Sequence, residues 1–180
     1  MRDRTRCRRV GFALLLVVTS VIMSGCSEMK DIDYDPKVAD PETVRSQVET
    51  HLTAIKKIAD LPKGEGLSPA ALINLDVRGI ERGYAMNGSF SIWGLSNKAI
   101  GDGYARVRAA LPAAGWRISK EGRDPMWKQD PELWAERGDD HSKLSLEWIQ
   151  PTRSKGPILL VTIDSRIYVA PPGVDLNTKI

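Results

Sequence analysis

The sequence predicts an α+β fold, an antiparallel sheet of about four to five strands with two helices packed on one face, and three observations carry that prediction. Apolar residues recur at helical spacing in two stretches, at Val44, Val48, Leu52 and Ile55 and again at Ile100, Tyr104, Val107 and Leu111. They alternate with period two in others, at Tyr84, Met86, Phe90 and Ile92 and at Leu144, Leu146 and Trp148. The order is helix, strand, helix and then a run of strands, the layout of one sheet covered on one side.

Each element has its own signals. Asp40-Pro41-Glu42 opens the first helix: a capping carboxylate, a proline at the first helical position and an acid facing the positive end of the helix dipole. The helix ends near Pro62, and Leu61-Pro62-Lys63-Gly64-Glu65-Gly66 is a loop. His51 lies inside this helix with no second ligand near it in sequence, and reads as a surface or boundary residue. Residues 67–87 are the least legible part of the chain. A strand is expected over 82–93, with Asn87-Gly88 as a turn or bulge within it. The second helix starts at Ser96 or Asn97 and runs to Ala114, weakened by Gly101, Gly103 and Pro112 and stopped by Gly115. Trp116-Arg117-Ile118 then opens a strand. Trp134 to Arg137 and Leu144 to Trp148 make a hairpin around the polar turn Gly138-Asp139-Asp140-His141-Ser142. Ile158 to Ile163 is nearly continuous apolar and suits a central strand covered on both faces.

The length of 180 residues supports one folded domain. Residues 1–25 form a leader, 26–40 a polar tether, 41–170 the α+β domain and 171–180 a C-terminal tail. Five of the 26 basic residues and one of the 23 acidic residues lie in the leader, so the remainder carries 21 against 22, a formal charge of −1. No basic stripe runs through it, which argues against nucleic-acid binding. The alternating Asp31, Asp33 and Asp35 resemble a calcium loop in part, but Pro36 stands where that loop needs glycine, and a solvated linker accounts for them.

Met1 to Arg9 is strongly cationic, and the mostly apolar run Val10 to Met23 follows it, the two regions of an export signal. The run is shorter than the roughly 17 residues a spanning helix needs. Arg8-Arg9 leaves the general and twin-arginine export routes both open. Met23-Ser24-Gly25-Cys26 resembles the bacterial lipobox, with Met23 where that family most often has leucine. The resemblance implies cleavage between Gly25 and Cys26, a diacylglyceryl group on the Cys26 thiol, and anchoring to the extracytoplasmic face of the cell membrane, where two acyl chains hold stably. The whole layout, from this leader through the Gly115-Trp116 pair to the closing strands, resembles small exported lipoproteins of actinobacterial type. That family brings no catalytic residues with it.

His141 beside Asp139 and Asp140 is the one compact titratable cluster, and a polar hairpin tip explains it. Arg137-Gly138-Asp139 matches an adhesion tripeptide by letters and is explained by the same turn. No serine-hydrolase elbow, Ser-x-x-Lys, zinc-protease or phosphate-loop motif occurs. Of the five tryptophans, Trp116, Trp134 and Trp148 fit core strand positions, whereas Trp93 and Trp127 lie beside loop residues and are the candidates for ligand or partner contact. The expectation is a non-enzymatic interaction module of the cell envelope, without cofactor or metal, that docks on an envelope protein. The alternative is a binding protein for a small ligand or cell-wall fragment.

Overall fold

The computed structural model describes residues 32, 34–62, 71–73, 80–124, 126, 130–151, 154 and 156–176. In chain order its elements are β1 (Lys37–Val38), α1 (Pro41–Ala59), β2 (Ala71–Ile73), β3 (Gly83–Ile92), α2 (Asn97–Ala110), β4 (Trp116–Arg123), β5 (Pro131–Arg137), β6 (Lys143–Ile149), β7 (Ile158–Asp164) and β8 (Tyr168–Val169). The class is α+β. The sheet is larger than the expected four or five strands: among the described residues eight are joined, in the order β1-β8-β3-β7-β6-β5-β4, with β2 paired to β3. It is also mixed, because β1 runs parallel to β8. The strands missed in the sequence, β1, β2 and β8, are two or three residues long, too short for alternation to register.

α1 forms as its sequence dictates. The Asp40 carboxylate accepts from the Glu42 amide at 2.9 Å, and Val44, Val48, Leu52, Ile55 and Ala59 are buried along one stripe. The helix stops at Asp60, whose φ of 44° is left-handed. Its last carbonyls are met by Arg106 of α2, which donates to Ala59 O at 3.0 and 2.6 Å and to Asp60 O at 3.1 Å. α2 is capped by Ser96 and ends at Ala110, short of the expected Ala114, because Pro112 has no amide to continue it. Gly101 is required by packing: a Cβ there would lie 2.5 Å from the Trp148 ring.

β3 passes straight through Asn87-Gly88, where a turn or bulge was expected. Asn87 pairs with Asp164 and Gly88 with Ile163, and the Asn87 amide donates to the Asp164 carboxylate at 2.5 Å. β7 is central in hydrogen bonding, between β3 and β6, but it is not covered on both faces as expected. Leu159, Val161 and Ile163 are buried while Leu160 and Thr162 are half-buried. Both helices lie on the side of the buried set, where Val48, Leu52, Ile100 and Val107 share one core with Phe90, Leu133, Leu146 and Val161. Among the described residues no element covers the other side.

The register sorts the connections to two ends. The β5–β6 turn, the start of β4 and the β7–β8 link lie at one end, and the β3–α2, β4–β5 and β6–β7 loops at the other. Strands of seven residues separate the two ends by about 24 Å.

Candidate functional site

The titratable turn Asp139-Asp140-His141, expected as a polar hairpin tip, is divided by its own backbone. His141 has a φ of 56°, and its ring stacks on Tyr34 at 5.0 Å between centroids. Asp139 accepts from Arg137 Nε at 2.9 Å and Nη2 at 2.5 Å. Asp140 turns inward instead. It accepts from Gln47 Nε2 at 2.5 Å and from the Ser142 amide at 2.8 Å, and its Oδ2 lies 2.8 Å from His51 Nε2. His51, expected as a lone surface or boundary residue, is therefore the partner of the turn, with its edge against Trp116 at 5.6 Å. Burial opposes the ionisation of Asp140, but the hydrogen bonds from His51, Ser142 and Gln47 outweigh it and hold the carboxyl well below the usual carboxylate range. A histidine held by a carboxylate is half of a general-base arrangement. No hydroxyl or thiol among the described residues hydrogen-bonds His51 to complete one, and no group of three or more His, Cys, Asp or Glu among them could hold a metal ion. The pair joins α1 to the β5–β6 turn.

Next to it the chain enters the domain. Tyr34 carries the Arg166 guanidinium over its ring at 4.1 Å, its hydroxyl accepts from the Ile167 amide at 2.9 Å, and Arg166 Nη2 donates to Asp35 O at 2.6 Å. The last residues of the segment read as a tether are thus fastened to the sheet through β1. At the other terminus, Arg82 Nη2 donates to Pro171 O at 2.5 Å and to Val174 O at 2.9 Å.

The tryptophans divide differently from expectation. Trp116 is buried and Trp148 is packed against the core, its indole donating to Asn97 Oδ1 at 3.0 Å. Trp134 does not belong with them. Leu133 and Ala135 point into the core, so the residue between them must point out, and Trp134 is 38% exposed on the uncovered side of the sheet. Its indole donates to the Glu132 carboxylate. Trp93, 42% exposed, lies in the β3–α2 loop at the end remote from Tyr34, and Met126, 80% exposed, lies in the β4–β5 loop of the same end. These loops are laced together. Asn97 Nδ2 donates to Gln150 Oε1 at 3.3 Å, and the buried Asp130 accepts from the Gln150 amide at 2.8 Å and, through its carbonyl, from the Asp124 amide at 3.0 Å. Trp127, Gly25 and Cys26 lie outside the described residues.

No family model, curated protein or solved structure matches this chain.

Proposed function

We propose that this protein is a lipid-anchored, extracytoplasmic lipoprotein that acts without catalysis, as an interaction module docking on another protein of the cell envelope. The observation that carries this reading is the opposition of the two ends of the sheet. The chain enters beside Arg166 and His141, while Trp93 and Met126 are exposed on hydrogen-bonded loops at the other end. The loop end lies opposite the point where the chain enters the sheet, and its exposed aromatic and Met side chains suit a protein interface. Trp127, next to Met126 in sequence, belongs to the same proposed contact.

Cross-linking in intact cells, followed by purification and mass spectrometry, tests it against an unrelated domain on the same anchor. One dominant envelope partner, lost in Trp93→Ala and Trp127→Ala, is the expected result. A set of cross-links no different from the control's overturns the docking reading.

A further inference from the structure

We infer that residues 34–39 form a latch, a strap that docks on β8 and comes away as one unit while α1 and the sheet stay folded. Closed, the chain leaves the domain at Tyr34; open, it leaves at Asp40, six residues later. The use of that length rests on the anchoring proposed for Cys26, under which it changes the reach of the domain. The latch itself does not rest on it.

The strap is bounded by a helix that does not depend on it. Asp40 is extended, with φ −74° and ψ 134°, and its carboxylate accepts from the Glu42 amide. Pro41 follows in the first helical turn, where it has no N–H to satisfy. α1 therefore starts from its own cap, and the chain before Asp40 can leave without loss to the helix. The strap also buries little. Asp35, Lys37 and Val38 are exposed, and Tyr34, Pro36 and Ala39 are only half-buried. It is held by two residue pairs between β1 and β8 and by hydrogen bonds: from the Ile167 amide to Tyr34 Oη at 2.9 Å, from Arg166 Nη2 to Asp35 O at 2.6 Å, from the Ala39 amide to Val169 O at 3.1 Å and from Tyr84 Oη to Ala39 O at 2.9 Å. A hydrogen bond contributes about as much net free energy as fixing one residue costs, so ordering six residues with so little burial leaves a small margin.

Arg166 adds a cost to the closed state that opening relieves. The residue is 5% exposed, and its Nε is buried without a hydrogen-bond partner. Tyr34 lies over the guanidinium at 4.1 Å, and the His141 ring stacks on Tyr34 at 5.0 Å. When the strap leaves, water reaches the guanidinium in place of the Tyr34 ring. The contacts that close the latch and the unmade hydrogen bond that opposes closure thus sit on the same residue, which brings the two states close in free energy.

Hydrogen exchange resolved to single amides tests the latch, on the protein purified from membranes in detergent and over urea concentrations that leave it folded. The Ala39 and Ile167 amides should be protected, yet exchange about a hundredfold or more faster than those of Leu146 and Val161 after correction for intrinsic rates. Their exchange should depend little on urea, as an opening that exposes little surface requires. Tyr34→Ala should speed both by about tenfold or more, although Tyr34 bonds only the Ile167 amide of the two, because the strap moves as one. Exchange of Ala39 and Ile167 with the rate and urea dependence of Val161 overturns the latch, since the strap then opens only with the whole domain. Absence of protection at both amides in the parent protein also overturns it, as does a Tyr34→Ala variant that frees Ile167 and leaves Ala39 unchanged. None of these outcomes bears on the cross-linking result, which rests on Trp93 and Trp127, or on whether Cys26 carries lipid.

Discussion

Asp140 draws two partners from a distant part of the chain, Gln47 and His51 on α1, and a third, the amide of Ser142, from its own turn. Removing its carboxylate leaves those donors facing one another in a half-buried site. Asp140→Ala should therefore cost about 2–3 kcal/mol, read as a shift in the urea midpoint with unchanged slope. The same residue predicts an acid response. Its carboxyl is depressed in the folded state, so its stabilisation is complete above the unfolded value near 4 and is lost as pH falls from there toward the folded value. Asp140→Asn should lower stability at pH 7 and flatten its decline between about pH 4 and pH 2, measured by urea titration at each pH. The sequence marked Asp139, Asp140 and His141 as a titratable group, but which of them turns inward depends on the left-handed backbone of His141. The His51 contact was illegible for another reason: it is made across 89 residues, and local periodicity says nothing of how a helix is rotated over a turn.

Elements were more legible than residues where pattern and punctuation agreed. α1 has both a cap and an apolar stripe, and its observed start is the expected one. α2 shows where single-residue propensity misleads. Gly101 reads as a weakness in a helix, since alanine would favour the helix by about 1 kcal/mol. It is in fact the place where Trp148 lies against the helix backbone. Gly101→Ala should destabilise by roughly 1–3 kcal/mol despite its better propensity, and a second change, Trp148→Leu, should remove most of that penalty. A thermodynamic cycle of the two variants measures the coupling. β7 misled in the opposite sense. Its unbroken apolar run suggested cover on both faces, yet Leu160 sits half-buried between Glu147 and Ser91 on the uncovered side. Apolar residues make up much of any protein surface, so a run alone does not count layers. Trp134 was misplaced for a related reason, because strand alternation fixes which residues share a face and not which face is the core.

At the scale of the molecule, the class and the side on which the helices pack followed from element order, while the edges of the sheet did not. β1 and β8 close one flank with two residues each, held by side chains such as Arg166 and Tyr34 rather than by strand length. Arg166→Ala should leave the main sheet intact and release the segment before α1. Hydrogen exchange should show faster exchange of the Ala39 amide, which bonds Val169 O, with little change at Val161 or Leu146.

That fastening would also set the reach of the domain under the anchoring proposed for Cys26. A chain leaving Cys26 and free up to the helix cap at Asp40 would have 14 residues of reach; one pinned at Tyr34 has eight. Fully extended, these lengths correspond to about 50 Å and about 28 Å. Under the lipid anchoring proposed for Cys26, the volume open to the domain would shrink about fivefold, and its local concentration at a membrane-bound target would rise by the same factor. On that proposal, two rings and a guanidinium would set the point from which the anchored chain is measured.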